Sequence, residues 1–123
     1  MDIRNKRSIG SIGEKIAADY LKNCGFIIVK QNFRVGKLGE IDIVAQENEY
    51  ICFMEVKSRN SLLYGSPAEA VNKKKQEQIK KIAGIYINQN KLYDKCIRFD
   101  VVEVMLCKKS LNVREINIIR NAF

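Results

Sequence analysis

Residues 39–58 have the sequence GEIDIVAQENEYICFMEVKS, in which two apolar segments flank a polar turn. This pattern predicts two β-strands, at residues 40–46 and 50–58, joined through residues 47–49. The second strand starts with apolar residues on both faces, as central strands covered on both sides do. Asp42 interrupts the first strand, and Glu55 and Lys57 end the second. Partly buried charges of this kind cost free energy unless they are paired or bind a metal ion.

The predicted register of the two strands brings these charges together. With Asn48 and Glu49 as a two-residue turn, counting back along the strands places Asp42 opposite Glu55, with their β-carbons about 5 Å apart. Lys57 lies two residues after Glu55 and therefore on the same face of the strand. Two carboxylates at that distance repel each other, so one of them keeps its proton unless a divalent cation lies between them.

These groups suit the hydrolysis of a phosphodiester bond. Asp42, Glu55 and the carbonyl oxygen of Val56 are oxygen ligands suited to Mg²⁺ or Mn²⁺. The ion would polarise the phosphate and lower the pKa of a bound water. Lys57 would orient or deprotonate that water, or stabilise charge in the transition state. The alternative is a structural salt bridge from Lys57 to one of the acids, and the local sequence favours neither.

The remaining segments predict helix, three strands, helix and two strands. Apolar residues at helical spacing indicate a first helix at residues 12–24, beginning near Ser8 to Ser11. A strand at residues 26–33 and a turn at residues 34–39 precede the central pair, and two more strands follow at residues 96–107 and 111–119. This order predicts an α/β fold with a mixed sheet flanked by helices, in one domain of residues 1–123.

The second helix has a clear predicted beginning. Ser66 is a suitable N-cap, Pro67 suits the first helical position, and Glu69 completes a capping box. The helix is expected to end at residues 88–90, with a break near Asn72.

Composition narrows the classes of function. The net charge of +8 indicates attraction to polyanions, of which nucleic acid is the commonest. The chain has no histidine, which excludes mechanisms with a histidine base, and its four cysteines lack the spacing of a zinc site. No apolar region follows the basic residues 1–8, so we expect no signal peptide, and the sequence has no apolar stretch of the ~20 residues that a membrane span needs. We therefore expect a soluble, cytoplasmic protein that does not bind membranes.

The segment Gly39-Glu40-Ile41-Asp42, followed after twelve residues by Glu55-Val56-Lys57, resembles the D…E-x-K motif of the PD-(D/E)xK nuclease superfamily. Almost the whole chain resembles the YraN-like family of small bacterial proteins, predicted endonucleases related to archaeal Holliday junction resolvases. The other matching stretches are Gly13-Glu14, Asn32-Phe33-Arg34, Phe53-Met54 and Arg59 around the E-x-K motif, Tyr64-Gly65, Lys75-Gln76, Phe99-Asp100-Val101-Val102 and Asn121-Ala122-Phe123. The resemblance implies a restriction-endonuclease-like fold with an αβββαβ core. It also implies a metal-dependent endonuclease acting on DNA, branched or junction DNA included.

The resemblance adds further site residues. It places Glu14 on the first helix beside the metal, as a ligand and catalytic acid, although Ser11 and Glu14 also have the spacing of a capping box. It also implies that Lys75 points at the acids and binds a phosphate, and that Gln76 contacts nucleic acid next to it. The alternative for Lys75 is a lysine that extends past the edge of the core into solvent.

Other basic and polar residues are predicted to contact nucleic acid. Lys73 and Lys74 make the second helix basic, together with Lys80 and Lys81. Such a face is usually only solvated, whereas in a nuclease it would contact backbone phosphates. Arg34, Arg59 and Tyr64 are expected in loops that flank the strand ends, as substrate contacts. For Asp100 we favour a structural hydrogen-bonding role over metal binding.

Two other functions compete with the nuclease. One is a nucleic-acid-binding domain that retains the fold but does not cut, and the other is an interaction protein whose basic helix docks on an acidic partner. Analogy with resolvases, which cut two strands, also suggests a homodimer.

Overall fold

A computed structural model describes residues 6–59, 71–107, 110 and 112–123. Its elements are α1 (Lys6–Asn23), β1 (Ile27–Val35), β2 (Gly39–Glu47), β3 (Tyr50–Arg59), α2 (Lys73–Gln89), β4 (Cys96–Leu106) and β5 (Val113–Ile119). The predicted order of elements is confirmed. The predicted capping box at Ser66, Pro67 and Glu69, and the predicted contact Tyr64, lie outside the described residues. Within the described ranges, neither helix has the length and apolar character that a membrane span requires.

The five strands form one mixed sheet in the order β1-β2-β3-β4-β5. Only β3 and β4 are parallel, and α2 lies between them in the chain, because a parallel pair needs a long crossover connection. The β2–β3 hairpin pairs Glu47 with Tyr50 and Ile43 with Met54. Asn48 has a φ of 54°, which suits a two-residue turn. The predicted mixed sheet is therefore confirmed, and the predicted hairpin register is confirmed from Glu47–Tyr50 to Ile43–Met54. The pairing ends there, one residue short of the predicted pair of Asp42 with Glu55.

In the described part of the chain, one helix packs on each face of the sheet. On the α1 side, the buried residues of the helix pack on apolar side chains of the three central strands. The helix residues are Ala17, Ala18 and Leu21, and the strand residues are Ile43, Ala45, Cys52, Met54, Val102, Val104 and Leu106. On the α2 side the corresponding residues are Ile41, Val44, Ile51, Phe53, Ile79, Ile82, Ala83, Tyr86 and Val101. Because β2, β3 and β4 are apolar on both faces, they form the buried centre of the sheet.

The alternation of side chains along β2 breaks at Asp42. Ile43 belongs to the core on the α1 side, whereas Ile41, two residues earlier, belongs to the core on the α2 side. Residues two apart on a regular strand share a face, so the strand rotates at this point. On the neighbouring β1, Asn32 lies opposite Asp42 and has a φ of 53°, in the left-handed region. Asp42 therefore lies at the boundary between the core on the α1 side and the core on the α2 side of the sheet.

The predicted break near Asn72 is confirmed, because Asn72 is the N-cap of α2 and accepts a 2.8 Å hydrogen bond from the Lys75 backbone N–H. The predicted start at Ser66 lies outside the described residues. Two other predicted boundaries were wrong. Helix α1 begins at Lys6, before the predicted start at Ser8 to Ser11. Strand β1 also continues through Val35, which pairs with Gly39, so the turn between β1 and β2 is shorter than predicted.

Asp100 is a structural residue, as favoured from the sequence. It is fully buried and accepts hydrogen bonds from the Arg98 guanidinium and from the backbone N–H of Asn121. Arg98 and Arg120 both donate to Glu47, which ties the start of β4 and the end of β5 to the β2–β3 hairpin. A buried carboxylate with this many donors is satisfied without a metal ion.

Candidate functional site

Three carboxylates meet where α1 crosses the sheet. One oxygen each of Glu14 on α1, and of Glu40 and Asp42 on β2, lies within 4.8 Å of the others. The predicted residues Glu14 and Asp42 are therefore brought together. Glu40 was not predicted as a site residue, although its spacing of two from Asp42 could have indicated it.

A close approach of α1 to β3 accounts for the position of Glu14. A Cβ on Gly13 would lie only 1.5 Å from the Ser58 hydroxyl oxygen, so only glycine lets the helix lie this near the strand. The next residue, Glu14, is thereby brought to Asp42. The capping-box alternative for Ser11 and Glu14 was wrong, because α1 begins at Lys6 and both residues lie inside the helix.

Asp42 and Glu14 share a hydrogen bond between their carboxyl groups. Burial and the charge of Asp42 raise the pKa of Glu14 to about 7. Burial also raises the pKa of Asp42. The Val56 backbone N–H opposes this rise, because it donates a 2.8 Å hydrogen bond to Asp42 Oδ2. The shared hydrogen bond adds to the rise in the pKa of Glu14 and opposes the rise in the pKa of Asp42.

Glu55 is the fourth acid, on the adjacent strand. It is 7% exposed, and burial together with the charge of Asp42 raises its pKa to about 7. Its Oε1 lies 3.8 Å from Lys57 Nζ, so the ion pair that the sequence left open is present. Its Oε2 is buried and, within the described part of the chain, has no hydrogen-bond partner. A buried carboxylate oxygen with no donor is unusual, and a cation would satisfy it.

The donor set fits a hard divalent cation. Carboxylate oxygens of Glu14, Glu40 and Asp42 converge on one point, and such ligands suit Mg²⁺ or Mn²⁺. Glu55 on the adjacent strand is close enough for the charge of Asp42 to raise its pKa. Negative charge is concentrated there in a chain whose net charge is +8. The set therefore offers the cation both oxygen ligands and compensating charge.

Of the predicted residues on α2, Lys75 interacts electrostatically with the acid group. Lys75 is half-buried, and its charge lowers the pKa of both Asp42 and Glu55. Lys73 and Lys74 are exposed in the first turn of the helix. The Gln76 side chain instead donates a 2.9 Å hydrogen bond to the Val71 carbonyl.

Two predicted contact residues do not lie in loops. Arg34 is exposed, but within β1, and its Nε donates to the Gly36 carbonyl. Arg59 is the last residue of β3 and only 8% exposed, with its Nε 3.3 Å from Glu103 Oε2. The parallel pairing of β3 with β4 brings Glu103 beside Arg59, a contact that the local sequence could not indicate.

The fold and this site define an α/β domain with a buried acid group at the edge of its central strands. The profile of the uncharacterised protein family UPF0102 matches residues 13–104, and the chain belongs to this family. It is similar to a UPF0102 protein of Acetivibrio thermocellus, with 53% identity over 121 residues that cover 97% of this chain and 93% of the relative. A UPF0102 protein of Clostridium botulinum strain Hall is 50% identical over 118 residues, covering 95% and 94%. These matches confirm the resemblance to the YraN-like family.

Proposed function

We propose that the protein is a divalent-metal-dependent endonuclease that hydrolyses phosphodiester bonds in DNA. The observation that carries the proposal is the buried Oε2 of Glu55, which has no hydrogen-bond partner within the described ranges and lies near the charges of Asp42 and Glu14. Burying several acids together costs free energy, and a structural role would pair each of them with donors. Both oxygens of Asp100 are paired in that way, whereas among the described residues Oε2 of Glu55 has no donor.

Asp42, Glu55, Glu14 and the carbonyl oxygen of Val56 would hold Mg²⁺ or Mn²⁺. A hard cation bound there supplies Lewis-acid activation of the phosphate and of the attacking water. Glu40 lies close enough to Glu14 and Asp42 to add a ligand or to orient theirs. The chain itself supplies the geometry, because Gly13 and the Val56 N–H fix the carboxyls of Glu14 and Asp42.

The lysines have separate roles in this proposal. Lys57 is partly exposed and lies next to Glu55, where its ammonium orients water or stabilises charge on the phosphate in the transition state. Lys75, beside the same acids but on α2, holds a non-bridging phosphate oxygen. Lys73 and Lys74 stand in the first helical turn, where the N–H groups already favour an anion, and they bind backbone phosphates.

Purified protein is incubated with linear, flapped and four-way DNA in Mg²⁺, Mn²⁺ or chelator. We expect cleavage that depends on the metal and falls at least ~10²-fold in Glu55→Gln and Lys57→Ala, the size of effect seen when transition-state stabilisation is lost. Glu49→Gln, in the exposed hairpin turn, is the matched control and retains activity.

The same assay separates the competing functions. Binding to DNA that Glu55→Gln retains, with no metal-dependent cleavage by the wild type, would favour a binding domain without catalysis. Cleavage that survives in both site variants would mean that these residues do not form the active site. Affinity for DNA that is negligible even at low salt would favour an acidic protein partner.

A further inference from the structure

A polar groove of about 420 Å³ lies between α1 and the edge strand β1. Pockets of ~300–1,000 Å³ are typical of sites that enclose small ligands, so this groove has room for part of a polymer. Its lining includes Glu14, Lys15, Asp19 and Lys22 from α1, and Gln31 and Asn32 from β1.

The groove opens directly on the acid group. Glu14 belongs to both, since its carboxyl meets Asp42 at one end of the groove. Asn32 lines the groove and also lies opposite Asp42 in the β1–β2 register, with its backbone in the left-handed region. Backbone of this kind is often found at functional sites. A chain that has one phosphate at the acids would therefore continue into the groove.

The chemistry of the lining suits a phosphodiester backbone. Lys15 and Lys22 are exposed and supply two cations, and the amides of Gln31 and Asn32 supply neutral donors. Lysine, asparagine and glutamine are common phosphate contacts in complexes with nucleic acid. Asp19, also exposed, is the one lining residue that would repel phosphate from a position outside the acid group.

We propose that the α1–β1 groove binds the stretch of nucleic-acid strand adjacent to the phosphate held at the acid group. The inference rests on the proposed function, and it adds a second contact surface in the α1 layer. The lysines of α2 lie in the opposite layer, so the two surfaces hold the strand on either side of the acids.

The test is the affinity for a fluorescent DNA duplex with a single-stranded flap, measured in chelator as a function of salt. We expect Lys15→Gln/Lys22→Gln to bind about tenfold more weakly, with the slope of log affinity against log salt reduced by about 1.4 for two single-strand phosphate contacts. Asp19→Asn is expected to bind more tightly, because it removes a repulsive charge.

Matched charge changes at the far end of the sheet provide the controls. Lys91, Asp94 and Lys95 are exposed and precede the start of β4, which lies beside the start of β3 and away from Glu55. Lys91→Gln/Lys95→Gln and Asp94→Asn change the net charge equally, and we expect them to leave affinity unchanged. Groove variants that bind like wild type, or controls that shift as far as the groove variants, would overturn the proposal.

The outcome is separable from that of the proposed function. If the wild type does not cleave DNA but the groove variants alter affinity as expected, the proposed binding role of the groove is supported and the proposed endonuclease activity is contradicted. If the wild type cleaves DNA while the groove variants bind and cleave like wild type, the proposed endonuclease activity is supported and the proposed binding role of the groove is contradicted.

Discussion

Gly13 on α1 lies against Ser58 on β3 so closely that a Cβ at position 13 would be 1.5 Å from the Ser58 hydroxyl oxygen and 2.7 Å from its Cβ. This contact sets the distance between the helix and the sheet where Glu14 meets Asp42. The fold and the site thus depend on the same glycine.

Gly13→Ala is expected to destabilise the protein by about 1–3 kcal/mol, because overpacking forces the helix and the strand apart. Gly10→Ala, in the same helix, is the control and should stabilise by up to about 1 kcal/mol. A Cβ added at Gly10 would have no atom of the described residues within 4 Å outside its own stretch of helix. Chemical denaturation measures both variants. Equal effects of the two substitutions would show that the close approach at Gly13 does not constrain the fold.

Glu55→Gln is expected to stabilise the metal-free protein at pH 8, by up to about 3 kcal/mol. Burial raises the pKa of Glu55 from 4.5 to about 7, so the folded state holds this proton more tightly than the unfolded state. Its contribution to stability is full below pH 4.5 and is lost as pH rises through 7. Thermal denaturation in chelator from pH 4 to 8 should give a flatter profile for the variant. Parallel profiles would contradict the expectation.

Glu47→Gln is expected to lower stability at neutral pH. Hydrogen bonds from Arg120 and Arg98 lower the pKa of Glu47 from 4.5 to about 2. A carboxylate with a depressed pKa stabilises the fold above pH 4.5, and this contribution is lost as pH falls toward 2. The difference in unfolding free energy between wild type and Glu47→Gln should therefore shrink between pH 5 and 2. A difference that stays constant over this range would contradict the stabilising role of the Glu47 carboxylate. Glu49→Gln, which removes an exposed carboxylate, provides the control.

Arg59→Gln is expected to cost about 3–5 kcal/mol, because it leaves Glu103 buried without its partner charge. Arg59→Gln/Glu103→Gln should recover part of that loss, since two amides can hydrogen-bond without burying charge. Urea denaturation of the two single variants and the double variant gives the coupling energy. Strictly additive losses would show that the pair does not interact energetically.

The sequence predicted those features that depend on local pattern. The hairpin register followed from the turn at Asn48 and Glu49, and counting residues from that turn is enough to place Asp42 and Glu55 on neighbouring strands. The same pattern did not indicate the rotation of β2 at Asp42, where the neighbouring strand β1 has Asn32 in the left-handed region.

Features that depend on distant segments were not predictable in this way. The pairing of Arg59 with Glu103 needs the parallel alignment of β3 and β4 across the α2 crossover. The sequence indicated Asn72 only as a break in a longer helix, whereas in the structure its side chain caps the start of α2. Glu40 was overlooked because the family motif singles out Asp42 alone.

The central claim is that Asp42 and Glu55 hold one divalent cation in concert with Glu14. The most direct measurement is calorimetric titration of Mn²⁺ into wild type and Glu55→Gln at pH 7.5, in two buffers of different ionisation enthalpy. Because burial holds the pKa values of Glu14 and Glu55 near 7, we expect saturable binding by the wild type with release of protons, and its loss in the variant. Absence of saturable binding by the wild type, or undiminished binding by Glu55→Gln, would contradict the account.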